Sequence, residues 1–295
     1  MPTPRPITAM LAAAGHTGIA AVSYLVARHV LHELPGWTLG WARIAISGLC
    51  YLGLLRAQGL SPLPPPGQRT AIAGLSVIGI LCNQGLFLVG LSYTTVAHAA
   101  ILYALTPAVV LLIAALRGAE RVGWVQGASV ALAVLGAVLV LTEGGAAGPV
   151  RGGDLIILVG VLAWSLYTLL SRDHAIRHGA TAATGWTFVI GAALALPLAP
   201  LAVPDWSLFA RLSGLGWAGL AWMSLGSSLA GYLLWSVALR GLSATRVAVF
   251  TNLQPVLASL LGWAVLGEPM TAREAAGGAI VLLGVVGLQV GRARA

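Results

Sequence analysis

The chain has no lysine, only eight acidic residues and only two cysteines among its 295 residues. Charged residues make up 8% of the chain and hydrophobic residues 58%, whereas ordinary soluble domains carry about 25% charged residues. A chain of this composition cannot cover itself with a polar surface, which indicates a membrane protein. The net charge of +8 comes from arginines scattered over loops, so it indicates membrane topology and no nucleic-acid partner.

Motifs for catalysis or for metal and cofactor binding are also lacking. Cys50 and Cys82 lie in apolar stretches without a paired motif, so we expect neither a disulfide framework nor a zinc site. We find no glycine-rich phosphate loop and no His-Glu-x-x-His pattern. The sequence therefore predicts no catalytic residue, no metal and no cofactor. An intramembrane enzyme is still an alternative, because serines and histidines occur within the apolar stretches.

Apolar stretches near the length that crosses a bilayer, about 20 residues, recur from end to end. A proline-rich segment at residues 61–67 separates two of them, because proline cannot continue a helix. We predict ten spans, near residues 7–27, 37–56, 70–90, 95–116, 123–141, 154–172, 181–202, 214–238, 244–265 and 273–290.

An internal repeat relates the two halves of the chain. Pro107 and Glu120 recur as Pro255 and Glu268, at a constant offset of 148 residues. Both residue types are scarce in membrane helices, so these matches weigh more than apolar ones. The same offset also pairs Ala131 with Ala279, Gly136 with Gly284 and Val138 with Val286. An internal repeat in a membrane protein favours a transporter.

These patterns predict an all-α integral membrane protein with ten transmembrane helices, arranged as two five-helix repeats of inverted topology. The first repeat covers residues 1–145 and the second residues 150–295. Five is an odd number, so the second repeat must cross the membrane upside down relative to the first. With the N-terminus inside, ten arginines fall on the inner side and four in outer loops. We therefore predict an inner (cytoplasmic) membrane protein with both termini cytoplasmic.

Three charged residues are predicted to have structural roles. Glu120 and Glu268 should organise helix termini or the turns beyond them. Arg43 lies well inside the second span, where a charged head is costly unless it reaches an interface or a partner. We expect its guanidinium to extend to the outer surface.

The paired prolines predict two helix kinks. A proline leaves the carbonyl four residues earlier without its donor, which here frees the carbonyls of Tyr103 and Thr251. Interrupted helices at corresponding positions in two halves indicate a transport site. A purely structural kink, satisfied by a neighbouring hydroxyl or a water molecule, is the alternative.

Aromatic and polar side chains form stripes on one face of the sixth span and one face of the eighth. Such stripes either fill helix interfaces or form the wall of a substrate cavity. They consist of Gly160, Trp164, Tyr167 and Ser171 in the sixth span, and of Ser228, Tyr232 and Trp235 in the eighth.

Several runs resemble the paired signatures of the EamA family in the drug/metabolite transporter superfamily. The resemblance covers nearly the whole chain, including Ala42-Arg43 and Trp164-Ser165-Leu166-Tyr167. The runs extend from Leu91 through Leu105-Thr106-Pro107, and from Ala244-Thr245-Arg246 through Asn252-Leu253-Gln254-Pro255 to Leu266-Gly267-Glu268-Pro269. Members are ten-helix inner-membrane carriers of amino acids and other small metabolites, often exporters. The family often has a tryptophan in the first helix where this chain has Ala20.

The resemblance implies a central cavity walled mainly by the first, third, fourth, sixth, eighth and ninth helices. Carried over to this chain, its substrate-binding residues would be His16, Asn83, Gln84, Tyr103, Trp164, Tyr167, Tyr232 and Asn252. Pro107 and Pro255 would form the kinks beside them.

All eight acids lie at or near span ends, so no carboxylate is expected at the bilayer centre. A permanently cationic drug would be desolvated there without a counter-charge, whereas a neutral or zwitterionic solute would lose less. We therefore expect a secondary transporter that exports an amino-acid-like solute by alternating access. Another metabolite or drug class of the superfamily is the alternative. The expected partners are this small-molecule substrate and the lipid bilayer.

Two pairs of glycines have a spacing that lets helix backbones approach closely. Gly123-x-x-x-Gly127 and Gly287-x-x-x-Gly291 favour tight packing within one chain or, alternatively, a homodimer.

Overall fold

The structure is a computed structural model that describes residues 4–118, 122–142, 152–250, 253–267 and 271–293. Within these ranges the regular structure is helical, and no β-strand occurs among them. The principal helices are α1 (Pro6–Val30), α2 (Gly36–Ala57), α3 (Pro66–Leu91), α4 (Val96–Leu116), α5 (Trp124–Leu141), α6 (Gly152–His178), α7 (Ala180–Ala202), α8 (Gly214–Gly241), α9 (Ala244–Val249), α10 (Leu253–Leu266) and α11 (Ala272–Ala293). Glu120, Thr251, Asn252 and Glu268 lie outside the described residues, and what we predict for them stays a prediction.

Eight helical segments are long and apolar enough to cross a membrane. They are α1 to α4, α6 to α8, and the segment Arg246–Val265. The fifth and tenth predicted spans correspond to α5 and α11, which do not belong to this set. Large apolar side chains such as Leu11, Leu116 and Leu201 are exposed on the outside of the bundle. An exposed apolar surface of this kind suits lipid and not water, so the chain has the structure of a multi-pass membrane protein.

One helix extends well beyond its predicted apolar stretch. The predicted sixth span ends at residue 172, whereas α6 continues to His178. The added residues are largely polar, so the hydrophobic pattern did not include them. The helix ends at Gly179, whose φ of 86° lies in the left-handed region that glycine adopts without a steric cost.

Two helices contain widened, π-type turns at corresponding positions. These turns are Val77–Cys82 in α3 and Trp222–Gly231 in α8, and the 148-residue offset places the first inside the second. Carbonyl groups of both segments accept hydrogen bonds from other helices, for example that of Gly79 from the hydroxyl of Tyr232 at 3.1 Å. Such turns occur often at functional sites.

The predicted kink in α4 is present as an interruption at Ala104 and Leu105, directly before Thr106 and Pro107. The hydroxyl of Thr106 donates to the carbonyl of Tyr103 at 2.6 Å. The prediction that this carbonyl is a free acceptor is therefore wrong, because the neighbouring threonine replaces the donor that proline lacks. Pro255 is the third residue of α10.

Helices α5 and α11 pack closely through glycines that the repeat relates. A methyl group added to Gly136 would lie 2.7 Å from the carbonyl oxygen of Gly277, and one added to Gly284 would lie 2.7 Å from that of Ser129. These two contacts are equivalent under the 148-residue offset, which relates Gly136 to Gly284 and Ser129 to Gly277. Residue numbers rise along α5 as they fall along α11, so the two equivalent helices are antiparallel.

Gly123 and Gly127 do not belong to this contact. A methyl group on Gly127 would meet nothing within 4 Å among the described residues, and one on Gly123 would meet only Gln126 of its own helix. The prediction that this pair mediates tight packing within the chain is therefore wrong.

The turn after α1 is attached to the start of α8. The Glu33 carboxylate accepts hydrogen bonds from the backbone N–H and the hydroxyl of Ser213, both at 2.7 Å. Ser213 in turn caps α8 by accepting from the N–H of Gly216. These bonds favour the charged carboxylate and lower the pKa of Glu33 below its ordinary value.

Candidate functional site

A cavity lies at the centre of the bundle, between helices of the first and second halves of the chain. Its volume is about 80 Å³ for water-sized molecules, and about 490 Å³ when all the empty space out to its open mouth is included. Its lining residues include aromatic, amide, hydroxyl and guanidinium groups, and none of them is acidic. The lining is His16, Ala20, Ser23 and Tyr24 of α1, Arg43 of α2, Asn83, Gln84 and Phe87 of α3, Tyr103 of α4, Trp164 of α6, Ser227 and Tyr232 of α8, and Gln254 of α10.

Arg43 faces this cavity. Its side chain is 4% exposed, and it donates from Nε to the hydroxyl of Ser228 at 2.7 Å and from Nη2 to that of Ser227 at 2.9 Å. Ser47 fixes the same stretch of α2 by donating to the carbonyls of Arg43 and Ser224. The prediction that the guanidinium reaches the outer surface is therefore wrong, since it crosses to α8.

Amide and phenol groups form a hydrogen-bonded chain along one wall. The Tyr103 hydroxyl donates to Asn83 Oδ1 at 2.8 Å, and Asn83 Nδ2 donates to the Tyr232 hydroxyl at 3.1 Å. The hydroxyl of Ser228 donates to Gln84 Oε1 at 3.2 Å. Gln84 Nε2 is buried and makes no hydrogen bond of ordinary geometry among the described residues, although it lies near the Tyr232 hydroxyl. It therefore keeps donor capacity beside the serine partners of Arg43.

Trp164 is the centre of an aromatic cluster. It stacks on His16 with ring centroids 5.8 Å apart and on Tyr167 at 5.7 Å, and it lies edge-on to Tyr232 at 5.3 Å. The Trp235 ring also packs against Trp164, with ring centroids 5.0 Å apart. His16 and Trp164 are equivalent under the 148-residue offset, so His16, and not Ala20, is the repeat counterpart of Trp164.

Six of the eight residues predicted for the substrate site line this cavity, and one lies behind it. The six are His16, Asn83, Gln84, Tyr103, Trp164 and Tyr232. Tyr167 stacks behind Trp164, and Asn252 lies outside the described residues. Five further lining residues were not predicted from the sequence, namely Ser23, Tyr24, Phe87, Ser227 and Gln254. Arg43 was predicted to be structural, although a charge inside a span is itself a signal of a functional position.

A second polar cluster joins α4, α6 and α11 away from the cavity lining. His98 Nδ1 lies 3.1 Å from Asp154 Oδ2, and its Nε2 lies 3.0 Å from Glu274 Oε1. The Thr94 hydroxyl also donates to Asp154. The carboxylates are on opposite sides of the ring, so they do not converge on one metal ion, and no cluster suited to a metal occurs among the described residues.

Comparisons with known proteins agree with a membrane carrier. The model of the EamA-like transporter family matches residues 7–142 and 151–289. The uncharacterized transporter YyaM of Bacillus subtilis (strain 168) is 31% identical over 205 residues, which cover 68% of this chain and 67% of YyaM. An uncharacterized transporter of Archaeoglobus fulgidus is 30% identical over 199 residues, which cover 67% of this chain and 69% of that protein.

A more distant relative has a more specific description. The probable terminal-alkyne amino-acid exporter of Streptantibioticus cattleyicolor is 26% identical over 188 residues, which cover 64% of this chain and 62% of that protein. A solved crystal structure superposes with a TM-score of 0.71 over 99% of both chains at 20% identity. At that identity the likeness concerns the fold alone.

Proposed function

Since this chain belongs to the EamA-like transporter family, we propose that it is a secondary transporter of a small amphipathic, amino-acid-like metabolite. The observation that carries the proposal is the central cavity. Helices of both halves of the chain line it, and its surface combines aromatic faces with hydrogen-bonding groups. Sites of this kind, at the interface of two repeats, hold the substrate in many secondary transporters.

The proposed architecture has ten spans in two inverted repeats, residues 1–145 and 150–295. The antiparallel packing of the equivalent helices α5 and α11 supports the inversion, because equivalent helices of an inverted pair cross the membrane in opposite directions. The excess of arginine on one side supports cytoplasmic termini in the inner membrane.

The position of the cavity along the helices supports alternating access as the proposed mechanism. Apart from His16, which lies just before the midpoint of α1, the lining residues of α1 to α3 lie toward the helix ends on the side of the turn between α1 and α2. This side faces outside in the proposed topology. Tyr167 and Trp235 belong to the half of the aromatic cluster nearer the cytoplasm. Opening to the cytoplasm would therefore require this cluster to separate as one repeat rocks against the other.

Export of an amino-acid-like solute fits the cavity and one relative. A solute with an apolar group gains contact with Trp164 and Tyr232, and an ammonium group is attracted to their faces. The amino-acid exporter of Streptantibioticus cattleyicolor supports the same substrate class and direction. The eight residues of the predicted site, with Asn252 among them, are proposed to contact the substrate.

Two alternative functions would give different results in a transport assay. A carrier of another metabolite class would transport solutes other than amino acids. An intramembrane enzyme would convert its substrate without moving it, and against it stands the absence of a nucleophile, base and orienting group in one constellation among the described residues.

Counterflow into proteoliposomes that contain the purified protein, screened over the amino acids, tests this proposal. We expect uptake of at least one amino acid, reduced about 3- to 30-fold by Trp164→Ala, which is the range of a cation–π contact. Asn252→Ala should also weaken transport. Trp124→Ala is the matched control, because Trp124 is 84% exposed and distant from the cavity lining. Robust transport of quaternary ammonium compounds, without response to amino acids or to these substitutions, would overturn the proposal.

A further inference from the structure

Arg43 brings a positive charge into the cavity that no described residue balances. Its only described hydrogen-bond partners are the hydroxyls of Ser227 and Ser228, and no acidic side chain is among the described residues that line the cavity. Removing a guanidinium from water is costly unless an opposite charge or a full set of acceptors replaces the hydration. Two neutral hydroxyls replace only part of it.

The remaining donors near Arg43 are suited to an anion. Nε and Nη2 each use one N–H, and the rest of the guanidinium fork has no described acceptor. Gln84 Nε2, also buried and without a hydrogen bond of ordinary geometry among the described residues, lies near the Tyr232 hydroxyl and is held beside the same serines through the bond from Ser228 to Gln84 Oε1. A carboxylate accepts two parallel N–H bonds from one guanidinium, and such charge-assisted pairs are stronger than neutral ones.

We infer that Arg43, together with Gln84 Nε2, binds a carboxylate of the substrate. The inference rests on the proposed function and deepens it, since it makes an anionic group the required feature of the solute. The carboxylate lies against Arg43 of α2 while the apolar group and any ammonium lie against Trp164 and Tyr232. Asn83 and His16 are less suited to this carboxylate, because both are already engaged with neighbouring groups.

A structural role of Arg43 predicts a different result. If the guanidinium only connected α2 to α8, its loss would lower stability without changing which solutes bind. The substrate preference of the wild-type protein is therefore the decisive readout, because measuring it does not depend on whether an Arg43 variant folds.

The experiment compares three competitors of labelled L-leucine, or of whichever amino acid gives the strongest counterflow, for binding to the detergent-purified protein. For leucine these are leucine itself, 3-methylbutylamine, which lacks the carboxylate, and 4-methylpentanoate, which lacks the ammonium. We expect the amine to compete about 10- to 100-fold more weakly than leucine, the range expected for charge-assisted hydrogen bonds. The acid should compete more strongly than the amine.

Variants extend the test. Arg43→Gln should weaken leucine binding by about the same factor as removal of the carboxylate, and the amine should bind equally to wild type and variant. Arg43→Lys keeps the charge but not the fork, so its affinity should be intermediate. Arg211→Gln is the matched control, because Arg211 is exposed and pairs with Asp205 far from the cavity lining.

The outcomes separate this inference from the proposed function. An amine that competes as well as leucine, or unchanged leucine affinity in folded Arg43→Gln, overturns the role of Arg43 and leaves amino-acid transport in place. Counterflow of carboxylic acids but of no amino acid overturns the proposed substrate and supports the role of Arg43. Counterflow of amines or uncharged solutes, without counterflow of amino acids or carboxylic acids, overturns both the role of Arg43 and the proposed substrate.

Discussion

At the scale of single residues, the buried charges occupy two different environments. Arg43 faces an open cavity and, among the described residues, forms hydrogen bonds to hydroxyls alone, whereas His98 lies between two carboxylates and is 1% exposed. Both ring nitrogens of His98 face carboxylate oxygens, which fits an imidazolium that donates to both. A group with charged partners on each side is already satisfied by the fold, so we interpret the His98 cluster as a structural connection and Arg43 as a binding group.

This interpretation predicts that Asp154→Asn destabilises the protein. Asp154 is fully buried and bonds to both His98 and Thr94, so its neutralisation leaves the imidazole with one charged partner fewer. Breaking a buried pair by removing one member costs roughly 3–5 kcal/mol. Thermal unfolding in detergent should show a large decrease in melting temperature.

The control is Asp205→Asn. Asp205 pairs with Arg211 on the surface, where both side chains are at least half exposed, so its loss should change the melting temperature far less. Equal effects of the two substitutions would contradict a special role for the buried cluster.

At the scale of helices, the contact of α5 with α11 depends on the absence of side chains at repeat-related glycines. Backbone atoms of α11 lie 2.7 Å from where a Cβ at position 136 would be, and backbone cannot move aside as the end of a side chain can. Small residues at such contacts let two membrane helices approach closely.

Alanine at Gly136 and alanine at Gly127 should therefore act in opposite directions. Both glycines are on α5, and replacing a helical glycine by alanine stabilises a helix by roughly 0.5–1 kcal/mol when space is available. Gly127→Ala has that space and should raise the melting temperature slightly. Gly136→Ala should lower it, since overpacking costs roughly 1–3 kcal/mol. A stabilised Gly136→Ala variant would show that the two helices are not in close contact.

At the scale of the whole molecule, the proposed inverted repeat determines which loops face which side. Cysteines introduced near Ser61 and Arg177 should react from the cytoplasm, and one near Gly145, outside the described residues, should react from outside. The reason is that an odd number of spans separates each inner position from the outer one. Labelling of intact cells with a membrane-impermeant thiol reagent measures this, in a background where Cys50 and Cys82 are replaced. Cytoplasmic labelling near Gly145 would overturn the ten-span arrangement.

Much of this architecture could be predicted from sequence. The EamA family assignment is confirmed by the match over residues 7–142 and 151–289, and the predicted spans 37–56 and 95–116 agree with α2 and α4 within one residue. The helical membrane class is confirmed as well. The count of ten spans, the inverted topology and the substrate-binding roles stay predictions. Where polar residues continue a helix, as at the end of α6, the span predicted from the hydrophobic pattern ended before the helix does.

Composition, span length and the 148-residue repeat were enough to indicate a helical membrane protein of two related halves, because each depends on residue types along the chain and on bilayer thickness. The family followed from the signature runs, which the match over residues 7–142 and 151–289 confirms. Which polar groups are paired was decided by the tertiary structure alone. Arg43 finds its serines 184 and 185 residues away, and His98 finds Asp154 at a distance of 56 residues along the chain. Spacing along one helix gives the face on which a side chain lies, but not the helix that this face meets, so a charge that could have reached the surface turns instead into the cavity.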